Sequence, residues 1–182
     1  MKVFDKKARF CAFSIAFLQI IIYYHAMVRQ TEKLTDYRQT ARKMYSLVKS
    51  YSSDLESVIN VSPVTGGEQK ADSMNLADFF NMVKNIPYKK DTEPVEVLAR
   101  PYIIFQNMHK GADCKKKSIL MGAWAACNRK PYRFVGISKK ADKSIHHVFP
   151  QIKLSGAWVN ADATYPENVL GETKKTTFAE VL

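Results

Sequence analysis

Residues 147–164 have the sequence HVFPQIKLSGAWVNADAT, and this stretch decides the fold of the second half of the chain. Mostly apolar and β-branched residues fill 147–154 and 157–162, and the dipeptide Ser-Gly at 155–156 separates them. A glycine-containing dipeptide between two such runs is typical of a tight hairpin turn. We therefore predict two antiparallel strands joined by a two-residue turn.

The register of this hairpin places a histidine and an aspartate on the same face. With two turn residues, His147 lies opposite Thr164 and Phe149 lies opposite Asp162, and all four side chains share one face because side chains alternate along a strand. His147 and Asp162 are then diagonal neighbours, roughly 7–8 Å apart at the backbone and within side-chain reach. The adjacent His146 points to the other face, so the geometry selects His147.

A cysteine precedes the hairpin at the predicted start of a helix. Residues 111–131 have the sequence GADCKKKSILMGAWAACNRKP, in which apolar residues form a broad helical face and Cys114 lies in the first turn. A helix N-terminus stabilises negative charge, which favours a thiolate over a thiol. The lysines at 115–117 add to this effect, although we expect them to be exposed and largely screened. A cysteine at a helix start is usually a small core residue, so the prediction depends on the hairpin.

These residues together predict a nucleophile, a base and a residue that orients the base. Cys114 is the candidate nucleophile, His147 exchanges its proton, and Asp162 holds the imidazole ring. The backbone N–H of Cys114 is one candidate oxyanion donor, and Gln106 is a candidate for a second. Taken singly, the histidine, the aspartate and the glutamine each have an ordinary structural or surface interpretation. The three cysteines have no disulfide or zinc spacing, so we expect no metal and no cofactor.

Residues 111–114, 147–152 and 156–164 resemble the transglutaminase-like superfamily, which combines a GDC-type helix start, an H-x-W/F strand and a G-W-V-x-x-D-P-T strand. The resemblance covers residues 76–168. It implies an α+β, papain-like fold with the active-site helix packed on a small antiparallel sheet, and catalytic roles for Cys114, His147 and Asp162. It also implies amide chemistry on a protein or peptide substrate: hydrolysis, amide transfer or deamidation. Short members resemble proteases more than cross-linking enzymes, which favours a cysteine peptidase or amidase.

The sequence departs from the family pattern without losing a catalytic group. Lys115 and Lys116 replace the acidic residues that usually follow the cysteine, which favours an acidic or anionic substrate. Ala163 replaces the usual proline, and Pro150 predicts an edge position or a bulge in its strand. A second hypothesis is a catalytically idle member of the family that serves as a structural or interaction protein in a membrane or virion assembly.

The first 30 residues predict a hydrophobic N-terminal helix. Residues 10–28 are nearly continuously apolar, and a basic flank precedes them, which is typical of a membrane anchor with a cytoplasmic N-terminus. A signal segment and a soluble helix buried against protein are the alternatives. We therefore expect a membrane-associated protein with a single N-terminal anchor.

The middle of the chain predicts a helix and then a linker. In residues 31–60 an apolar residue recurs every three or four positions, which predicts a long amphipathic helix that acts as a stalk, packs on the catalytic domain or pairs in a coiled coil. Residues 61–75 are polar and rich in turn formers, so we interpret them as a linker. The catalytic domain then occupies residues 76–182.

The chain is basic, with 28 Lys and Arg against 17 Asp and Glu and a formal net charge of +11. This balance favours an anionic partner, such as a lipid surface. The lysine pairs are dispersed and lack interleaved aromatic residues, so nucleic acid is disfavoured as a partner. Origin from a phage or bacterium, with action on a virion protein or the cell wall, is a hypothesis that rests on size and resemblance.

Overall fold

The computed structural model describes residues 30–32, 36–61, 67–92 and 96–182. The membrane helix predicted at 10–28 therefore lies outside the described residues. Within them, no helix combines the length and the apolar character that crossing a bilayer requires.

The described residues form four α-helices: α1 (Tyr37–Tyr51), α2 (Leu76–Lys84), α3 (Pro101–Gln106) and α4 (Cys114–Cys127). Short 3-10 helices follow α1 and precede α2 and α4, at Ser52–Ser57, Ala71–Ser73 and Met108–Lys110. The side chains of Asp36 and Asn75 cap α1 and α2 by accepting a backbone N–H of the first turn. Pro101 begins α3, where its missing N–H leaves no helical hydrogen bond unmade.

The strands are β1 (Gln30–Glu32), β2 (Ile59–Val61), β3 (Glu68–Lys70), β4 (Glu96–Leu98), β5 (Tyr132–Ser138), β6 (His147–Leu154), β7 (Ala157–Asn160) and β8 (Phe178–Val181). The main sheet is antiparallel with the order β7-β6-β5-β8, and β1-β4 and β2-β3 form two small antiparallel pairs. Helices and an antiparallel sheet make this an α+β protein.

The predicted hairpin register is confirmed. Leu154 pairs with Ala157 and Gln151 pairs with Asn160, as a two-residue turn requires. Ser155 and Gly156 both have positive φ, 47° and 87°, which is the type I′ geometry that matches the twist of the strands. The ladder is shorter than predicted, because β7 ends at Asn160.

The bulge that was one of the two predictions at Pro150 does not form, and the other, an edge position, holds only locally. β6 is an interior strand, and Pro150 pairs with Phe134 of β5 in an unbroken register. On its other side Pro150 lies beyond the end of β7 and offers its carbonyl to Ala161 N at 2.9 Å. The strand accommodates proline there because the neighbouring ladder has already ended.

Helix α4 lies at the centre of the hydrophobic core. Ile119, Leu120 and Met121 are fully buried in it, and the helix packs against β6, α1 and α2. Ser118 Oγ donates to Val148 O of β6 at 3.1 Å, and Trp124 Nε1 donates to Met74 O at 2.9 Å. A helix buried on nearly all sides holds its first residue in a fixed position relative to the sheet.

The helix predicted at 31–60 is shorter in the structure, where α1 occupies only Tyr37–Tyr51. Before α1, β1 pairs with β4 from far along the chain. After α1, the chain tightens into a 3-10 helix in which buried Asp54 binds Arg100, with Nε at 2.8 Å, and accepts from Tyr102 N at 3.0 Å. These long-range partners replace the regular helix that the apolar spacing predicts.

The interpretation of 61–75 as a linker also needs correction where the structure describes it. Glu68–Lys70 is a strand, and Ala71 and Met74 are buried in the same core as α4. Asn128 Nδ2 donates to Asp72 O at 2.9 Å, which ties this segment to the end of α4. The polar composition of this segment does not reveal that Ala71 and Met74 belong to the core. Nor does it reveal that its backbone carbonyls accept hydrogen bonds from Trp124 and Asn128.

Candidate functional site

Cys114 is the first residue of α4 and is almost completely buried. Asp113 caps the helix: its Oδ1 accepts from Lys116 N at 3.0 Å, and its backbone oxygen accepts from Lys117 N at 3.1 Å. The cap fixes the first turn of α4 and with it the position of the Cys114 thiol at the helix N-terminus.

The approach to this helix lies directly beside the segment 87–89. Ala112 N donates to Pro87 O at 2.8 Å, and Lys89 N donates to Ala112 O at 3.2 Å. Gly111 makes this contact possible: its φ is +86°, and a Cβ there would lie 2.8 Å from Lys89 Cβ and 2.9 Å from Pro87 O. The pairing holds Tyr88 against the start of α4.

His147 and Asp162 lie in direct contact. His147 Nε2 is 2.9 Å from Asp162 Oδ2, at the start of β6 and just after β7. Thr164 N donates to Asp162 Oδ1 at 3.1 Å, and Asn168 Nδ2 donates to the Asp162 backbone oxygen at 3.0 Å. The carboxylate is therefore fixed by hydrogen bonds on both of its oxygens.

Cys114, His147 and Asp162 line one cavity of about 440 Å³. Burial favours the neutral imidazole, but hydrogen bonds and charge from Asp162 and from the Cys114 thiol outweigh it and raise the pKa of His147 to about 9. Burial opposes the charge of Asp162 as well, but the contacts with His147, Thr164 and Lys174 lower the pKa of Asp162 to about 2. At neutral pH the pair is an imidazolium and a carboxylate.

Two further residues of the sequence analysis are His146, which the hairpin register excluded, and Gln106, the candidate oxyanion donor. His146 is exposed and lines the same cavity, and its backbone N–H donates to Ile137 O at 3.2 Å. Gln106 is exposed at the end of α3 and is not among the residues that line the cavity. The structure therefore does not bring the predicted oxyanion donor to the site.

Two tyrosines that the sequence reasoning missed lie in the cavity instead. The Tyr88 and Tyr165 ring centroids are 5.0 Å apart, and the Tyr165 ring stacks on that of His147 at 6.3 Å. Burial, the neighbouring Tyr165 and the negative charge of Cys114 raise the pKa of Tyr88 to about 12, so its hydroxyl keeps its proton. The pairing of 87–89 with the start of α4 brings Tyr88 to the site, and no spacing rule predicts that pairing.

The expectation that the lysines after Cys114 are exposed is wrong. Lys115 is buried with its Nζ 3.0 Å from Asp113 Oδ2, and the Lys116 ammonium binds Asp91 Oδ1. Because internal carboxylates hold both ammonium groups, they are not a surface that selects an acidic or anionic substrate. That part of the sequence argument fails.

Lys117 is more deeply buried than its two neighbours and is 1% exposed. Its Nζ donates to Thr164 O at 2.8 Å and to Lys84 O at 3.1 Å. Burial lowers the pKa of Lys117 to about 8, against the attraction of Asp162. The residue links α4 to the segment that carries the carboxylate.

Cys127, at the other end of α4, is a free thiol of a different kind. It is half-buried, its Sγ donates to Ser52 O at 3.0 Å, and burial raises its pKa. Across the described residues, no group of three or more His, Cys, Asp or Glu side chains is placed to hold a metal ion.

The sequence matches no family model and no curated protein. Among solved structures, the chain is similar to a proposed cysteine protease from Cytophaga hutchinsonii, with a TM-score of 0.39 and 14% identity. The match covers 79% of this chain and 48% of that protein, so this chain spans about half of its length. The likeness is too weak to place the chain in a family.

Proposed function

We propose that this protein is a thiol-dependent amide hydrolase, a cysteine peptidase or amidase, with Cys114 as the nucleophile, His147 as the acid and base, and Asp162 as the orienting residue. The observation that carries the proposal is the 2.9 Å contact between His147 Nε2 and Asp162 Oδ2 in the cavity that Cys114 also lines. Because Nε2 faces the carboxylate, Nδ1 is the ring nitrogen left for the thiol.

In the first half of the reaction, Cys114 Sγ attacks the carbonyl carbon of the amide and the carbonyl π electrons move to oxygen. The backbone N–H of Cys114 at the helix start and the Tyr88 hydroxyl are the candidate donors to that oxyanion. The His147 imidazolium gives its proton to the nitrogen as the C–N bond breaks. The amine leaves, and the acyl group stays on sulfur as a thioester.

In the second half, water attacks the thioester while the neutral His147 takes a proton from it. The tetrahedral intermediate expels the Cys114 thiolate and releases the acid, which restores the thiolate and the imidazolium. Asp162 remains ionised throughout and stabilises the charged ring. An amine in place of water would give amide transfer, so product analysis identifies the acceptor.

The arrangement supports the papain-like, transglutaminase-like interpretation of the sequence. A nucleophile at the start of a central helix faces a histidine and an aspartate that an antiparallel hairpin carries, and chain order runs Cys, His, Asp. Anchoring through residues 10–28, an anionic partner, and a phage or bacterial setting stay predictions from the sequence.

The test is the reactivity of the Cys114 thiol. We expect iodoacetamide to alkylate Cys114 at pH 7 at least ten times faster than Cys127, because an imidazolium next to it favours the thiolate. Mass spectrometry of the digested full-length chain measures both rates in one sample. His147→Ala should bring Cys114 to the rate of Cys127, whereas His146→Ala, at a neighbouring histidine in the same cavity, should leave it unchanged.

Hydrolysis is then sought with a peptide library and mass spectrometry, comparing the intact protein with Cys114→Ala. Cleavage that disappears in the variant supports the proposal. A Cys114 thiol no more reactive than Cys127, together with no cleavage, would instead favour the idle structural member of the family.

A further inference from the structure

A lysine from the C-terminal part of the chain contacts the same carboxylate oxygen as the histidine. Lys174 Nζ lies 3.4 Å from Asp162 Oδ2, the atom that is 2.9 Å from His147 Nε2. Its side chain is 16% exposed, so the contact is shielded from bulk water. Asp162 thus faces two cationic groups on one oxygen.

Other side chains hold Lys174 in this position. Its Nζ donates to Asn168 Oδ1 at 2.9 Å and to Glu172 Oε2 at 3.1 Å. Asn168 in turn donates to the backbone oxygen of Asp162 at 3.0 Å, which closes a ring of contacts around the carboxylate. The ammonium is therefore a fixed part of the site.

We propose that Lys174 is a positioning residue that limits the proton affinity of His147 by sharing Asp162 with it. This inference rests on the proposed catalytic role of His147. Because both nitrogens contact one oxygen, they lie within about 6 Å of each other, where two positive charges in a shielded site repel measurably. Lys174 keeps Asp162 ionised while weakening its hold on the imidazolium, which keeps His147 able to release its proton in each cycle.

Several other groups face His147 or line its cavity, and each substitution changes only one of them. The ring contacts Asp162, the Cys114 thiol and the rings of Phe149 and Tyr165. The remaining titratable side chains that line the cavity are Tyr88, Lys139, His146, Glu167, Glu172 and Lys175. Single substitutions at Lys174, Glu172 and Lys175 therefore separate the shared contact from the general charge of the cavity.

The test is an NMR titration of the His147 ring in the full-length chain, with its resonance assigned through His147→Gln. In Lys174→Met, His147 should bind its proton about tenfold more tightly, because the competing charge is gone. Lys174→Arg should restore the wild-type titration. Glu172→Gln, which leaves Lys174 less neutralised, should shift the proton affinity the opposite way. Lys175→Met removes a lysine of the same cavity and should change it less than twofold.

An unchanged titration in Lys174→Met, or one matched by Lys175→Met, would overturn the inference. Should Lys174→Met not fold, Glu172→Gln is compared with Glu167→Gln, which removes an exposed carboxylate of the same cavity. Equal shifts in the two variants would overturn the inference. Repeating the titrations in a Cys114→Ala background removes the thiol from the cavity. The titration of His147 does not depend on hydrolysis, so it measures the effect of Lys174 even if the protein does not hydrolyse amides. Each of the two proposals can therefore be contradicted without the other.

Discussion

At the scale of single residues, the carboxyl group of Asp162 connects more of the site than any other group described above. It contacts the His147 ring and Lys174 through Oδ2 and the Thr164 N–H through Oδ1, while it is only 2% exposed. A buried carboxylate is stable only when such partners offset its lost hydration. The same contacts that keep Asp162 ionised therefore fix the ring of His147.

We expect Asp162→Asn to fold and to lose most of its hydrolytic activity, by about 10²- to 10⁴-fold. An amide has nearly the same shape and can still accept from Thr164 N, but it no longer stabilises the imidazolium of His147. Peptide hydrolysis and Cys114 alkylation measure the loss, and circular dichroism checks the fold. Asp142→Asn, at an exposed carboxylate that accepts from Ser144, is the control. Activity within a few-fold of wild type in Asp162→Asn would contradict the role assigned to this residue.

At the scale of elements, the start of α4 depends on a close contact between Gly111 and the segment 87–89. Gly156 in the hairpin turn has a similar φ without such a contact, so the two glycines can be compared. Gly111 and Gly156 have nearly the same φ, +86° and +87°, but a Cβ on Gly111 would meet Lys89 and Pro87 within 3 Å whereas one on Gly156 would meet nothing within 4 Å. A positive φ is thus common to both positions, but Gly111 also has a ψ of 163°, in a region that essentially only glycine adopts, and it alone carries the steric clash.

We therefore expect Gly156→Ala to lower the free energy of unfolding by about 1 kcal/mol, the strain of a left-handed residue. Gly111→Ala should cost about 2–4 kcal/mol and should also slow Cys114 alkylation, because the 87–89 segment must move away from the helix start. Urea unfolding and the alkylation rate measure the two effects. Equal costs at the two glycines would mean that the contact of Gly111 with Pro87 and Lys89 is looser than described.

The elements that the sequence predicts well are those set by local signals. The hairpin followed from a two-residue turn, and α4 followed from a broad apolar helical face, since turn type and helical periodicity depend on neighbouring residues. The contact of His147 with Asp162 agrees with that register, although the ladder ends at Gln151 and Asn160 before it reaches either residue. Local signals therefore predicted the part of the candidate site that the hairpin carries, His147 and Asp162.

What the sequence did not predict depends on partners far along the chain. The pairing of β1 with β4 and the Asp54–Arg100 ion pair shorten the first helix, and neither leaves a periodic pattern. Tyr88 reaches the site through a backbone contact, and Lys117 finds its carbonyl partners only in the folded protein. From the sequence alone, a run of lysines predicts a solvent-exposed surface, because the carbonyls that bind Lys117 come from other parts of the chain.

At the scale of the whole molecule, three groups of the site give stability a defined pH dependence. His147, with its pKa raised from 6.5 to about 9, contributes stability that is full below pH 6.5 and is lost as pH rises through 9. Asp162, with its pKa lowered from 3.8 to about 2, contributes above pH 3.8 and loses its contribution as pH falls through 2. Above neutral pH, the contribution of Lys117 to stability rises with pH, whereas that of His147 falls.

The pKa of Lys117 is lowered from 10.5 to about 8, so between these values the unfolded chain binds the proton that the folded protein has released. Its contribution is therefore full above pH 10.5 and is lost as pH falls through 8. We expect the free energy of unfolding of wild type, relative to Lys117→Met, to rise by about 1–2 kcal/mol between pH 7.5 and 9.5. Urea unfolding at several pH values measures this difference, in which the contributions of the other groups cancel.

Lys70→Met, at an exposed lysine of β3, is the control and should run parallel to wild type across this range. The readout is the slope against pH and not the stability itself, since removing the ammonium both relieves its burial and leaves two carbonyls without a donor. Parallel curves for wild type and Lys117→Met would show that Lys117 keeps its proton in the folded state. The carbonyls of Thr164 and Lys84 would then hold the positive charge of Lys117 next to Asp162 above pH 8 as well as below it.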